Sequence, residues 1–579
     1  MISAVKTILP FAVVLTLSLG ALNAVYGRSA TWNLNPINND WNTSNNWTPA
    51  IVPNTPRDTA TFGVSQTTSI TQSTDIRLDG MLFNPAASVY TISLTGSINI
   101  SGAGIVNNSG ATQNITCDVA NNGNFGVINF LKTATSGESM NYTVNGGPFS
   151  DFIGGDIWFW DQSSAGSGVF TTNGGLRSGA SGGGIHFLDE ATAAHGMFIV
   201  EGGAAGATGS VISFGANSSL TESSVVVNGG FFDYGSGLFA YGTTVPLVDV
   251  SVTTNGGTAA DEFGGSSELD SPGAQGCTFT SNGGVASNAS GGVIEFSGTF
   301  VTGDSVLIAN AGTNGGNGGV LLLLDSAVVG GRVELFGNGT LDLSQHEAPG
   351  ASVGSVEGDG IVIMGSLNLT LGSNSLSTIF SGTLEEGAGS SLTKVGTGTL
   401  ALSGPNTYTG GTTIEAGTLL AQTKNASATG TGPVQVNAGT LGGRGKMSGA
   451  VTIGSGTGTG AFLAPGVNGA AGLTTQSSLT FNADGTYSCE IDTSRVKADK
   501  ITGKGVTINS GAMFSLSALG NQTLAPGTVF TVINNRSASP ITGTFSNLPD
   551  GSIVTINRNN FQASYSGGDG NDLTLTVVP

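Results

Sequence analysis

From Ile128 to about Thr340 the chain repeats itself, and that repeat limits the fold more than any other feature. Asn145, Asn173, Glu201, Asn228, Asn255, Asn282, Asn310 and Asn338 are 27 or 28 residues apart, and Gly-Gly follows the first six. Sixteen residues before a marker lies an apolar position: Ile157, Ile185, Ile212, Phe239, Ser266, Ile294 and Leu322, with Ile128 seventeen before. Two residues further on come Phe130, Phe159, Phe187, Phe214, Tyr241, Glu268, Phe296 and Leu324. A second pair, such as Tyr142/Val144, Phe170/Thr172 and Phe198/Val200, sits three and one residues before the Asn. Alternation with a period of two is the signature of a half-buried strand. No window carries a helical stripe, and Gly, Ser, Thr and Asn are poor helix formers.

Units of this length cannot bury an apolar face alone and must stack on their neighbours. The expected fold is therefore all-β, a single-stranded right-handed parallel β-helix of about 27–28 residues per coil, capped at both ends. Stacked Phe rings would form an internal column, and stacked Asn amides would donate and accept along the axis, about 4.8 Å per coil. The constant sixteen-residue step marks the stacked segment, and the Gly-Gly pairs are expected to supply positive φ at a tight corner.

Composition agrees with a long folded β chain and removes several functions. Of 579 residues 95 are Gly, 9% are charged and the net charge is −20, yet the mean hydropathy is +0.16. An acidic chain with scattered Lys and Arg does not suit nucleic acid, whose phosphates require clustered bases. Nor does it offer a polybasic face to a membrane surface. Cys117, Cys277 and Cys489 lie too far apart for any recognisable pairing pattern and are expected to be single buried or half-buried thiols. Residues 1–27 have the form of a secretory signal, with Lys6, an apolar run from Ile8 to Leu19, and small residues at the exit.

Three of the five tryptophans, Trp32, Trp41 and Trp47, crowd the first mature residues. A solenoid end must be covered, so they are expected to form a cap, with a carbohydrate-stacking platform as the functional alternative. Further on, Ser391 to Leu419 holds Lys394, Gly396, Gly398, Leu400, Leu402, Asn406, Tyr408, Gly410, Gly411, Gly417 and Leu419 in a distinctive order. This closely resembles the autotransporter-associated beta-strand repeat. The resemblance implies an exported parallel β-helix, often adhesin-like, and brings no catalytic residues. A full autotransporter ends in a membrane barrel of alternating strands. The run to Val577-Val-Pro579 has no such pattern, so the expectation is a passenger without its translocator.

The chain then divides into a signal peptide (1–27), an N-terminal cap with irregular first coils (28–125) and regular coils (126–345). Next come coils carrying the resembling repeat (346–425, repeat 391–420) and strand-rich C-terminal coils with the other cap (426–579).

Candidate chemistry is sparse. Gly567-Gly-Asp-Gly-Asn-Asp572 has the outline of a calcium nonapeptide, but a single copy with Thr574 in the apolar slot favours a turn. Lys132, Asp161 and Asp189 share a coil position, which would stack two carboxylates about 4.8 Å apart, near the roughly 5–5.5 Å of a retaining glycosidase; any β-helix stacks equivalent residues this way, and Lys132 would partly offset the pair. His186, His195 and His346 lack metal-ligand spacing and are expected to face solvent. The expectation is a secreted or cell-surface, structural or adhesin-like protein that is not an enzyme, with no catalytic, metal or cofactor residues. Extracellular glycans or cell-surface components are the expected partners, and no transmembrane segment is expected in the mature chain. The alternative is a carbohydrate-active β-helix, meaning a polysaccharide lyase, hydrolase or glycan binder.

Overall fold

The computed structural model describes residues 28–579 apart from 232–234, 271, 386, 388, 459 and 467–468. The signal-like segment 1–27 lies outside the described residues.

The β-branched and aromatic residues that alternate in the sequence form short strands, each paired in parallel with its equivalents one coil earlier and one coil later. On one face Val127–Phe130, Asp156–Phe159, Gly184–Phe187 and Val211–Phe214 run in register, with Ile128, Ile157, Ile185 and Ile212 aligned. On another, Met140–Val144, Val169–Thr172, Met197–Val200 and Ser224–Val227 do the same. The fold is a parallel β-helix. Among the described residues one lateral face counts nineteen strands from Ser69–Gln72 to Met513–Leu519, each paired in parallel with the next. The long strand Gly350–Gly358 turns a corner, pairing by its first half with Asn368–Leu371 and by its last residue with Thr378–Phe380.

The coil of 27–29 residues holds from Ile128 to Leu321. On either side it shortens: Ile70, Ile92 and Ile115 are 22 and 23 residues apart, and Leu321, Leu341, Val362 and Leu384 are 20 to 22 apart. The strand rows continue unbroken across these changes because the turns absorb the lost residues.

Inside, Phe130, Phe159, Phe187 and Phe214 stack with centroids 4.8, 4.5 and 4.4 Å apart and planes within 9° of parallel. A second column, Tyr142, Phe170 and Phe198, stacks at 4.7 and 5.1 Å and meets the first edge-on. These offset and edge-to-face contacts are the arrangements aromatic quadrupoles favour.

Two coils depart from the sixteen-residue step. Tyr241 aligns with Leu269, and Phe239 with Ser267, so Ser266 and Glu268 point outward. Likewise Leu321 and Leu323 are the inward pair, not Leu322 and Leu324. A one-residue slip inverts every side chain of a strand, and these turns lose or gain the one residue that puts Leu269 and Leu323 inside. Asn338 also leaves its expected place: Leu335 pairs with Ala309, and the Phe336 N–H donates to the Ala309 carbonyl where the amide would stand.

The Gly-Gly pairs do not supply positive φ; none of the six pairs after residues 145, 173, 201, 228, 255 and 282 adopts it. Their role is close approach between coils. A methyl group on Gly146 would run into the Gly174 carbonyl, on Gly174 into Gly202 and Gly203, and on Gly202 into the Gly229 carbonyl.

Trp32, Trp41 and Trp47 are fully buried and pack edge-on, with Trp32–Trp47 and Trp41–Trp47 centroids 5.1 and 4.9 Å apart. They lie over Phe62 of the next coil, and Trp47–Thr48 pairs antiparallel with Ala30–Trp32 to close the first strand's free edge. This is the cap and not a platform open to sugar. At the other end Val529–Asn535, Asp572–Val578, Asn559–Gly567 and Ile553–Ile556 pair antiparallel, which stops the parallel stack. The three cysteines are free and buried.

Candidate functional site

The stacked candidate carboxylates occupy a corner with a backbone reason for its composition. Lys132, Asp161, Asp189 and Ala216 all take positive φ, between 54° and 58°. Asp tolerates this left-handed region better than most residues. Each carboxylate then holds the preceding coil: the Lys132 N–H donates to Asp161 Oδ2 at 2.8 Å, and the Asp161 N–H to Asp189 Oδ2 at 3.3 Å. Gly298 N–H and Asp325 repeat the arrangement at 2.9 Å. The shallow concavity here, about 560 Å³, is completed by Gln162, whose Nε2 donates to Glu190 at 2.8 Å.

Beside it stand residues that the sequence reading passed over. Trp158 and Trp160 point outward from the strand whose Ile157 and Phe159 are buried, so strand parity alone marks them. Trp160 Nε1 donates to Asn129 on the coil before, and His186 lies on the coil after. Trp158 stacks with both Trp160 (5.4 Å, 16°) and His186 (4.1 Å, 29°). His186 is 18% exposed, its Nδ1 2.7 Å from Ser213 Oγ and its Nε2 3.7 Å from Asp156. Of the three histidines expected at the surface, His195 is 60% exposed, while His186 is packed into this stack and His346 reaches the Ala327 and Glu347 carbonyls. Among the described residues no three His, Cys, Asp or Glu gather in a metal-holding arrangement.

The Asn column forms another corner. Asn145 Nδ2 donates to Asp118 Oδ1 at 2.6 Å and Asn173 Nδ2 to Asn145 Oδ1 at 2.9 Å. Higher up, Asn255, Asn282 and Asn310 each donate to the amide before them at 2.7 Å, starting from Asn228. Glu201 interrupts the row, since a carboxylate has no N–H to pass down to Asn173. No hydrogen bond joins the Glu201 side chain to Asn173 or to Asn228. At this interruption lies a lateral groove of about 590 Å³, with Asp118, Asn145, Asn173 and Glu201 along it and Pro148, Leu176 and Ala204 beside it.

A smaller groove, about 340 Å³, runs past Thr399, Thr418, Thr440, Glu490 and Asp499. Asp499 is 1% exposed; its Oδ1 accepts the Ala471 N–H at 2.8 Å and its Oδ2 the Glu490 N–H at 3.0 Å. Burial outweighs those bonds and pushes its carboxyl up to about 6. The Gly567–Asp572 segment is the turn between two antiparallel strands, and Asp572 Oδ1 accepts the Asn535 N–H at 2.9 Å.

The residues from Lys394 to Leu419 are tied into the coils at nearly every position. Lys394 is buried, its Nζ donating to the carbonyls of Val395 (2.6 Å), Gly396 (3.1 Å) and Ala416 (3.4 Å), and desolvation lowers its pKa. Asn406 spans three coils: Oδ1 accepts the Leu384 N–H at 2.8 Å and Nδ2 donates to the Ala428 carbonyl at 2.6 Å. Tyr408 is fully buried with its hydroxyl 2.6 Å from Thr412 Oγ1, and Leu400, Leu402 and Leu419 enter the core. Gly396 and Gly417 turn with φ of 66° and 68°, as the Lys394 cradle requires.

Residues 392–421 match the family model of the passenger-associated-transport-repeat. The match bears out the resemblance carried by Lys394 to Leu419, and this passenger repeat lies within an uninterrupted run of parallel strands. No curated protein matches the chain. Among the described residues no helix is long and apolar enough to cross a membrane.

Proposed function

We propose that the protein works outside the cell as a passenger-like rod with a structural or adhesive role and without turnover chemistry. The passenger repeat at 392–421, continuous with the coils around it, carries this reading. It is supported by where the polar groups go: Lys394, Asn406, Asp161 and Asp189 each hold the backbone of neighbouring segments or coils. A rod of this kind offers long lateral surfaces, which suits contact with extended surface components.

The test is expression with the natural leader, followed by fractionation and protease treatment of intact cells. The chain should be found outside or on the surface and be open to added protease. Incubation with a polysaccharide panel should release no new reducing ends or unsaturated products. Retention in the cytoplasm would overturn the export reading. Cleavage that disappears in the Asp161→Asn/Asp189→Asn double variant would overturn the passive one.

A further inference from the structure

The groove between Asp118 and Glu201 coincides with the break at Glu201 in the amide row from Asp118 to Asn310, where the links to Asn173 and to Asn228 are both missing. We propose that it binds a neutral, hydroxyl-rich oligosaccharide lying along the rod axis. This deepens the adhesive reading and rests on it for its biological setting.

Four features of the groove converge on that ligand. The first is the floor: Asn145 uses one amide N–H and one side of its oxygen within the row, and the remaining N–H and lone pair are free for a ligand. These groups recur at about 4.8 Å, and three coils from Asp118 to Glu201 give a track of roughly 14 Å. A sugar hydroxyl both donates and accepts, so successive hydroxyls can meet both kinds of group. The second is the interruption itself. Asn173 Oδ1 and the Glu201 carboxylate are neighbouring acceptors with no donor between them, and a ligand must bring its own donors there.

The third feature is the rim. Pro148, Leu176 and Ala204 follow one another coil by coil, and Leu176 is 62% exposed, leaving an apolar strip for the C–H faces of sugar rings. The fourth is charge. No Lys or Arg lines the groove and a carboxylate stands at each end, which opposes uronate, sulfate or phosphate groups.

Calorimetry with the purified exported chain tests this, using neutral cello-, xylo-, manno- and chito-oligosaccharides, with oligogalacturonate and calcium alone as controls. Glu201→Asn is the decisive variant because it restores the amide row and removes the acceptor pair. At least one neutral series should bind the wild type, and oligogalacturonate should not. Glu201→Asn should weaken binding tenfold or more while melting at or above the wild-type temperature, and Leu176→Arg on the exposed rim should weaken it as well. Equal binding by Glu201→Asn, binding of oligogalacturonate alone, or a site filled by calcium in place of sugar would overturn the proposal. So would the absence of any neutral ligand. None of these results bears on export or rod shape, which the fractionation experiment judges separately.

Discussion

Phe187 has an aromatic ring on three sides: Phe159 and Phe214 above and below at 4.5 and 4.4 Å, and Phe198 edge-on at 5.7 Å. Removing it leaves a void that the stacked backbone cannot close, because the coil spacing is fixed by hydrogen bonds on both faces. Phe187→Ala should therefore cost about 3–5 kcal/mol, read as a lower denaturant midpoint with little change in slope. An unchanged midpoint would mean that the column contributes no packing. The glycines show the opposite constraint at the same scale. Gly146 and Gly174 are needed for what lies beside them, since any side chain would meet the next coil's backbone. The positive φ that turns demand falls elsewhere, on Lys132, Asp161 and Asp189.

At the level of the coil, much of the fold was legible because inward residues repeat and strands alternate. Ile128, Ile157, Ile185 and Ile212 could be aligned by eye, and the Asn row followed from the same count. The coils at Leu269 and Leu323 were misplaced by one residue because turn length is set by backbone geometry, which leaves little trace in composition. Trp158 and Trp160 were legible by parity, but the repeat is carried by the inward residues and outward positions vary from coil to coil, so periodicity alone does not single them out. The groove at Glu201 was not legible, since a lone Glu among Asn markers looks like ordinary drift until the hydrogen bonds are traced. The Asp499 junction was hidden too, because Ala471, Glu490 and Asp499 meet only in space. It leads to a pH prediction. The folded chain keeps the Asp499 proton up to about 6, whereas its ordinary value is 3.8. Between those values the folded state binds more protons than the unfolded state, so this group's contribution falls as pH rises through that window. Urea titrations from pH 3.5 to 7.5 should show wild type losing stability relative to Asp499→Asn between about pH 4 and 6. A constant difference across the range would show that Asp499 titrates normally.

For the whole molecule the decisive quantity is shape. Ordinary domains of this size split into separate cores, but a solenoid lengthens by adding coils and keeps a constant cross-section. Nineteen successive strands on one face, about 4.8 Å apart, span about 86 Å, and the end caps bring the long dimension near 100 Å. A compact chain of the same mass would have a diameter of about 60 Å. Both ends have their own stop: the Trp32, Trp41 and Trp47 cluster with its antiparallel strand at one, the antiparallel Ile553–Val578 segment at the other. Such ends suppress strand-to-strand polymerisation, so one rod length should persist on dilution. Small-angle scattering of the purified chain should give a skewed pair-distance distribution reaching about 100 Å, with a cross-section that does not change with concentration. A symmetric distribution ending near 60 Å would contradict the stacked coils, and a length that grows with concentration would mean that the caps fail to close the stack.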